Sequence, residues 1–209
     1  MDMQRYLIRN AIVVNEGSSR VADVLIENGR IDRIDPHISP KGNYQEINAE
    51  GKYLLPGVID DQVHFREPGL TQKGTIYTEA KAGIAGGVTS YMEMPNTQPP
   101  AFTQELLEEK YAIGAKNSLA NYSFYMGTSN DNAEEVLKTN ARKKDICGVK
   151  IFMGSSTGGL LVDNFITLDT LFRDCEVLIA THCEDEKIIK TNYERLAKEK
   201  GILQPEDHP

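Results

Sequence analysis

The sequence contains no tryptophan and only three cysteines among its 209 residues. An odd and small number of cysteines does not build a disulfide framework, so we expect Cys147, Cys175 and Cys183 to be thiols in a reducing cytoplasm. The amino terminus, MDMQRYLIRN, carries charges where a secretory signal needs an apolar run. No stretch approaches the ~20 apolar residues that span a bilayer. These absences predict a cytoplasmic protein that does not contact a membrane.

Basic residues are also scarce. Lys and Arg total 23 against 31 Asp and Glu, which gives a formal net charge of −8. Because phosphate neutralisation drives non-specific binding to nucleic acids, this balance argues against a nucleic-acid partner. An anionic ligand would need a local arginine to hold it against the overall charge. The hydrophobic fraction of 40% is typical of globular proteins and excludes a wholly disordered chain.

Residues 1–51 have the pattern of a small β domain. The run Tyr6–Val14 is rich in β-branched residues, and two further apolar runs, Val21–Ile26 and Ile31–Ile34, flank Asn28-Gly29. Asn-Gly between two such runs indicates a β-hairpin, because both residues accept positive φ. We interpret residues 1–51 as the N-terminal part of a small β-sandwich.

Residues 52–209 alternate short apolar runs with amphipathic stretches, and the runs recur every 25–34 residues, the length of a β-α unit. Continuous apolar strands alternating with helices predict a parallel sheet covered on both faces. The predicted strands are Tyr53–Ile59, Val88–Met94, Tyr122–Met126, Ile146–Met153 and Val177–Ala180. The fold class is therefore α/β, a (β/α)8 TIM-type barrel of which about five β-α units are present, since a complete barrel needs eight.

Helix signals separate these strands. An Ala-rich stretch, Tyr77–Ala85, stops at Gly86-Gly87, and Thr103 can cap a helix over Gln104–Ala115. Asp131 with Glu134 resembles a capping box. We also expect one helix beginning at Asp163, with Phe165, Leu168, Leu171 and Phe172 on one face, and another over Glu184–Lys200 that ends at Gly201.

Polar residues stand at the carboxyl end of four of the predicted strands. In a parallel α/β barrel the reactive residues come from those strand ends. The candidates are Asp60, Asp61 and His64 after the first strand, Asn96 after the second, Lys150 in the fourth and His182 in the fifth.

The first strand continues into the densest constellation, Asp60-Asp61-Gln62-Val63-His64-Phe65-Arg66-Glu67-Pro68-Gly69. If the strand extends that far, Asp60, Gln62, His64 and Arg66 share one face, because the side-chain period of a strand is two. His64 is then a candidate metal ligand, and Arg66 can clamp a carboxylate with its fork of donors. The alternative is a loop with a surface histidine and a structural salt bridge.

His182 ends the fifth strand, so it can face the same cavity as His64, or it can simply cap the following helix. Cys183 alternates away from His182, and we expect it to be a buried structural thiol. Asn96 offers a donor and an acceptor to a polar ligand, or serves as an ordinary turn residue beside Pro99-Pro100.

Lys150 lies inside an apolar strand, where a charged amine is costly to bury. Burial lowers the pKa of a lysine, and the neutral amine can react with carbon dioxide to give a carbamate that binds metal ions. The alternative is a lysine that reaches solvent or an internal carboxylate. Gly154–Gly159 follows directly and lacks the Gly-Lys-Ser/Thr ending of a P-loop, so we interpret it as a mobile loop over the site.

Together these residues resemble the dihydroorotases of the cyclic amidohydrolase superfamily. The resemblance runs from the N-terminal β segment to about His182 and is strongest in four segments. These are Leu55-Pro56-Gly57-Val58-Ile59-Asp60, His64-Phe65-Arg66-Glu67-Pro68-Gly69, Gly86-Gly87-Val88-Thr89 and Met94-Pro95-Asn96-Thr97. Hydantoinases and allantoinases share the barrel and the metal site but usually differ at the Arg-Glu-Pro-Gly step.

The resemblance implies reversible hydrolysis of L-dihydroorotate to N-carbamoyl-L-aspartate in pyrimidine biosynthesis. It implies one or two zinc ions held by His64, carbamylated Lys150 and His182, and a small-molecule substrate whose carboxylate contacts Arg66 and Asn96. In the family one further histidine ligand and the general acid/base, an aspartate, lie on later strands. No residue before Pro209 matches them, and His208 is not at a strand end.

Gln62 stands where the family usually has the first histidine of His-x-His, and a neutral amide oxygen is a poor zinc ligand. The resemblance therefore leaves the metal count open. We expect the N-terminal part of a dihydroorotase, inactive by itself and present as a homo-oligomer or with a second chain, since an open partial barrel exposes a strand edge. A non-catalytic dihydroorotase-like protein that supports a partner enzyme and a hydantoinase-type cyclic amidase are the alternatives.

Overall fold

The computed structural model describes residues 5–154 and 158–207, in two compact units that divide between Gly57 and Val58. The first unit contains five strands: β1 (Arg5–Asn15), β2 (Ser18–Glu27), β3 (Arg30–Asp35), β4 (Gln45–Asn48) and β5 (Tyr53–Leu54). The second unit alternates strands and helices: β6 (Val58–Val63), α1 (Ile76–Ala85), β7 (Val88–Glu93), α2 (Gln104–Asn117), β8 (Asn121–Gly127), α3 (Ala133–Leu137), β9 (Gly148–Phe152), α4 (Phe165–Asp174), β10 (Ile179–His182) and α5 (Glu186–Lys200). Short 3₁₀ turns cover Lys138–Arg142 and Pro205–Asp207.

The first unit is a single mixed sheet with the strand order β3-β2-β1-β4, and β5 also pairs with β1. β1, β2 and β3 are antiparallel neighbours, whereas β4 and β5 run parallel to β1. The predicted hairpin is confirmed: Asn28 and Gly29 have φ of 53° and 74°, the left-handed pair that a tight turn between twisted strands requires. A small core of Leu7, Leu25 and Ile38 packs on this sheet.

A buried carboxylate, Asp23, ties the first unit together. Its oxygens accept hydrogen bonds from the backbone N–H of Asn10 and of Ile38, each at 3.0 Å, and from the guanidinium of Arg9 at 2.8 Å. Burial raises the pKa of Asp23, but these donors outweigh burial and leave the pKa below its ordinary value. The ionised form is therefore the one that the folded sheet stabilises.

We expect Asp23→Asn to destabilise the first unit by about 1–3 kcal/mol at pH 7, because an amide cannot accept all three hydrogen bonds. The folded pKa lies below the ordinary value of 3.8, so this stabilisation is present above pH 3.8 and is lost as the pH falls through the folded pKa. Hydrogen exchange of the Asn10 and Ile38 amides measures the effect. The exposed Asp32→Asn is the control, and equal protection in both variants would contradict the assignment.

The second unit is an α/β structure that resembles part of a TIM barrel. Its five strands are all parallel, in the order β10-β9-β8-β7-β6, and a helix follows each strand, which confirms the five predicted β-α units. The apolar core lies between the outer face of the sheet and the helices; it includes Tyr91, Phe124, Val149, Ile151 and Leu171.

The sheet of the second unit is curled. The hydroxyl of Tyr125 on β8 donates to the carbonyl of Asp61 on β6 at 3.2 Å, over two strand positions. In a flat sheet those strands would be about 9–10 Å apart. The side chains on the concave face are thereby brought toward one another. Within the described residues, no helix is both long and apolar enough to cross a membrane.

Two predicted helices begin where expected. Thr75 and Thr103 cap α1 and α2, and Gly86 ends α1. The predicted capping box of Asp131 and Glu134 is wrong, because α3 follows Asn132 and has no side-chain cap. The amide of Asn132 is used instead to join neighbouring loops: it accepts from Ser129 and donates to the carbonyls of Phe102 and Gly127.

The last two helices each begin two residues later than predicted. Asn164, not Asp163, caps α4, and Asp185 caps α5. The predicted apolar face of α4 is only partly buried, since Leu171 is inaccessible whereas Phe165 is 79% exposed. The sequence pattern predicts which face of α4 is apolar, but not which residues of that face are buried against other elements.

Candidate functional site

Four of the predicted site residues lie at the carboxyl ends of three strands of the curled sheet, and the fifth lies within a fourth strand. His64 directly follows β6, and Arg66 lies two residues further on. Asn96 stands three residues after β7, and Lys150 is in the middle of β9. His182 is the last residue of β10. Four of the five side chains therefore come from the carboxyl end of one sheet, and Lys150 comes from the same sheet.

The expectation that Asp60, Gln62, His64 and Arg66 share one strand face is wrong. β6 ends at Val63, and its pairing with β7 is irregular between Asp60 and Val63. Arg66 has φ of 73°, so the chain turns there instead of continuing as a strand. Asp60 lines a small cavity on the helix side of the sheet together with Val63 and Tyr91. His64 and Arg66 are thus presented by a turn.

His64 and Asn96 are in direct contact. The His64 Nδ1 lies 2.8 Å from the Asn96 Oδ1, so Nδ1 carries the proton and Nε2 keeps its lone pair. Partial burial lowers the pKa of His64, and the positive charges of Arg66, Lys150 and Lys110 act in the same direction, against the effect of the Asn96 bond. A neutral ring with one free nitrogen is the form in which histidine binds a metal ion.

A buried ion pair lies behind the turn that carries Arg66. Glu93, the last residue of β7, is 1% exposed and stands 2.8 Å from the ammonium of Lys110 on α2, which is also 1% exposed. The other oxygen of Glu93 accepts from the backbone N–H of Arg66 at 3.1 Å, and Lys110 donates to the carbonyl of Met94 at 3.0 Å. The pair thereby fixes the segments after β6 and β7.

Sequence reasoning missed this pair. The available signal was a charged residue, Glu93, inside the apolar run Val88–Met94, which demands an internal counter-ion in the same way as Lys150. Burial raises the pKa of Glu93, and the charge of Lys110 counteracts that effect.

The Glu-Pro-Gly segment also packs closely on the loop after β7. Gly69 has φ of 82°, and a Cβ on it would lie 1.9 Å from the carbonyl oxygen of Gln98. The N–H of Gln98 donates to the carbonyl of Pro68 at 3.1 Å, and the carboxylate of Glu67 accepts from the N–H of Ile76 at the start of α1. Only glycine permits this approach, so the two loops that carry Arg66 and Asn96 are in contact.

Lys150 is buried, with 4% of its surface exposed, and burial lowers its pKa; the charge of Cys183 acts in the opposite direction. Its ammonium nitrogen lies 5.0 Å from the centre of the Phe152 ring. Among residues 5–154 and 158–207, no side chain forms an ion pair or a hydrogen bond with this nitrogen. The internal carboxylate of the alternative interpretation is therefore not found in the described chain.

His182 stacks on the same phenylalanine. The ring centres of His182 and Phe152 are 6.2 Å apart and 30° from parallel, so the Phe152 ring is close to both His182 and Lys150. The His182 Nε2 stands 3.5 Å from the Glu184 Oε1. Cys183 is exposed, so the prediction of a buried thiol is wrong: β10 ends at His182, and the Sγ donates to the hydroxyl of Thr181 at 3.0 Å.

The structure thus forms two small groups, His64 with Asn96 and Lys150 with Phe152 and His182. The strand that precedes His64 (β6) and the strand that contains Lys150 (β9) are separated by β7 and β8 in the order of the sheet. In the described part of the chain, no three His, Cys, Asp or Glu side chains cluster as a metal site. The predicted loop over the site falls partly on residues 155–157, and His208 also lies outside the described residues.

Comparison with known proteins gives concordant matches. The family model described as "Dihydro-orotase-like" matches residues 51–194. A dihydroorotase of Methanosarcina acetivorans is 34% identical over 91% of this chain and 41% of its own length. An allantoinase of Deinococcus radiodurans is 32% identical over 88% of this chain and 42% of its own.

Solved structures match the same architecture. An L-hydantoinase (dihydropyrimidinase) from Arthrobacter aurescens superimposes with a TM-score of 0.84 at 26% identity, over 94% of this chain and 44% of that one. The chain therefore spans about two fifths of the length of the curated relatives it matches.

Proposed function

Because the chain belongs to the dihydroorotase-like family, we propose that it provides part of the active site of a metal-dependent dihydroorotase, which interconverts L-dihydroorotate and N-carbamoyl-L-aspartate. The observation that carries the proposal is the contact of His64 with Asn96 after β6 and β7, on the same curled sheet that carries Lys150 within β9. Arg66 lies beside them with no carboxylate partner among the described residues, as a group reserved for an anionic ligand would.

The donor chemistry fits a zinc ion. Among the described residues, the Nε2 of His64 has no hydrogen-bond partner and Lys150 has no counter-ion; burial lowers the pKa of both side chains, and a neutral amine is the state that carbamylation requires. The carbamate would add an anionic oxygen ligand, with His182 as the second imidazole. Gln62 is exposed within the irregular part of β6 and is a weak ligand, so this donor set supports one firmly held ion.

When bound, zinc would supply Lewis acidity that polarises a ring carbonyl and brings the pKa of water near neutrality. The chain itself would orient the substrate. Arg66 can hold both oxygens of the substrate carboxylate. Asn96 uses Oδ1 on His64 and leaves Nδ2 as a donor to the same carboxylate, so one side chain would couple ligand orientation to substrate binding.

The finer architecture is part of the same proposal. Residues 52–209 would form the first part of a (β/α)8 barrel, and residues 1–51 part of a small β-sandwich. β6 and β10 each pair on one side only in the described sheet, which supports further strands, or association with a second chain, at those edges. Three free thiols support a reducing compartment, the cytoplasm.

A hydantoinase-type or allantoinase activity is the second candidate, because an allantoinase and a hydantoinase are among the relatives. The two functions differ in one chemical respect that Arg66 would sense. Dihydroorotate carries a carboxylate, whereas hydantoin and allantoin do not. A non-catalytic dihydroorotase-like protein that supports a partner enzyme would lack selective binding of either compound.

Binding by the zinc-loaded chain tests the proposal. We expect dihydroorotate to raise the unfolding temperature and hydantoin to leave it unchanged. Arg66→Met should weaken the binding of dihydroorotate at least ~10-fold, because one charge-assisted bidentate pair is lost. Arg173→Met, which removes an exposed arginine paired with Asp169 and Asp174, is the matched control. Stabilisation by hydantoin, or unchanged binding by Arg66→Met, would contradict dihydroorotase.

A further inference from the structure

Glu184 occupies an unusual position beside the end of β10. Its Oε1 lies 3.5 Å from the Nε2 of His182, and its Oε2 is buried with no hydrogen-bond partner in the described residues. A buried carboxylate oxygen without a partner costs free energy on folding. Such an atom therefore calls for an explanation other than stability.

The end of β9 is shaped to admit this carboxylate. Gly154 follows β9 after one intervening residue, and a Cβ on it would lie 2.4 Å from the Cβ of Glu184 and 2.7 Å from its Oε2. These are distances that real Cβ atoms do not adopt, so Glu184 fits only because residue 154 has no side chain. The sequence thus provides space for a group that is costly to place there.

Two contacts hold the His182 ring in place. Phe152 stacks on one face, and the carboxylate of Glu184 stands at Nε2. A carboxylate at Nε2 favours the tautomer with the proton on that nitrogen and leaves the lone pair on Nδ1. His64 is held the opposite way, with Asn96 at Nδ1 and the lone pair on Nε2. The two histidines would then offer different ring nitrogens to one ion.

We propose that Glu184 is a positioning residue for the metal site: it fixes the tautomer and ring orientation of His182, and Gly154 makes the room. This inference rests on the proposed function, because it requires His182 to bind a metal ion. Glu184 itself touches neither the ion nor a substrate. Its role is to make Nδ1 of His182 a better-aligned and more basic ligand.

Zinc titration of the full chain against a chromogenic chelator tests this role. We expect Glu184→Ala to weaken zinc binding about 10–100-fold, the usual effect of losing a carboxylate behind a histidine ligand. Glu184→Gln keeps an oxygen acceptor for Nε2 and should stay within about threefold of the parent chain. Glu194→Ala, which removes an exposed carboxylate from α5, is the matched control and should bind zinc as the parent does.

Stability without zinc separates positioning from a merely structural role. Glu184→Ala removes a buried, unpartnered oxygen, so the metal-free protein should unfold at the same or a higher denaturant concentration. Gly154→Ala should displace Glu184 and weaken zinc binding as well. The double variant, with Gly154→Ala and Glu184→Ala, should bind zinc no more weakly than the weaker of the two single variants. Parent-like zinc affinity in Glu184→Ala would overturn this inference alone, whereas a parent chain that binds no zinc would overturn it together with the proposed function.

Discussion

Lys110→Met should destabilise the second unit by about 3–5 kcal/mol, because it leaves the Glu93 carboxylate buried without its counter-ion. Both side chains are 1% exposed, so water cannot replace the lost ammonium. The carbonyl of Met94 also loses its donor. Urea unfolding followed by far-ultraviolet circular dichroism measures the change, since the chain has no tryptophan.

The loss of stability in Lys110→Met should become smaller as the pH falls. Burial raises the pKa of Glu93 above its ordinary value, and Lys110 opposes that effect, so its removal raises the pKa of Glu93 further. A carboxyl with a raised folded pKa favours the folded state as the pH falls and it takes up a proton. The deficit of Lys110→Met should therefore shrink between neutral and mildly acidic pH.

Two further variants make this result interpretable. Lys138→Met removes the partner of Glu135 at an exposed ion pair and should cost less than about 1 kcal/mol. Adding Glu93→Gln to Lys110→Met removes the stranded charge but keeps an acceptor for the Arg66 N–H, so much of the stability should return. If Lys110→Met behaves like Lys138→Met, the buried pair does not stabilise the fold as described.

Lys150→Met should have the largest effect on metal binding, with zinc affinity at least ~100-fold lower, because it removes a ligand and not only a group behind one. It should at the same time leave the free energy of unfolding unchanged or higher. Methionine fills a similar volume, and the buried lysine it replaces has no ion pair among the described residues. The separation of the two effects is the expected signature of a functional lysine.

Changing the concentration of dissolved carbon dioxide gives a second test of the role of Lys150. If Lys150 is carbamylated, zinc affinity of the parent chain should rise with added bicarbonate and fall after degassing, whereas Lys150→Met should not respond. Lys116→Met, at an exposed position near the end of α2, is the matched control and should retain both zinc binding and the bicarbonate response. Bicarbonate-independent zinc binding by the parent would exclude the carbamate.

Local signals in the sequence predicted those elements whose structure is decided locally. The Asn28-Gly29 hairpin and the Thr103 cap depend on residues within a few positions of each other, and both were confirmed. The alternation of strands and helices was equally visible, because short apolar runs and amphipathic stretches follow one another along the chain. The start of α3 was not visible in the sequence. The side chain of Asn132, which precedes α3, does not cap the helix but donates to the carbonyls of Phe102 and Gly127.

The candidate site also has features that the sequence predicted and features that it did not. Sequence reasoning selected His64, Asn96 and His182 from their positions at the ends of apolar runs, and the structure places them at strand ends. It selected Lys150 as a charged residue inside an apolar run, and the structure places it within β9. It did not anticipate that β6 stops at Val63 or that Glu93 and Lys110 support the Arg66 turn. Those features depend on side chains that meet only after α2 has packed on the sheet.

The close approach of Gly69 to Gln98 has a consequence for binding. Because the two loops are in contact, Arg66 and Asn96 are carried by what amounts to one rigid body. A ligand held by both side chains would therefore cost the protein little conformational entropy on binding, because the two loops are already ordered in the folded protein. The affinity of such a ligand should therefore be governed by its fit to a preformed spacing between guanidinium and amide, so that small, stiff, ring-shaped anions are favoured over flexible ones of equal charge.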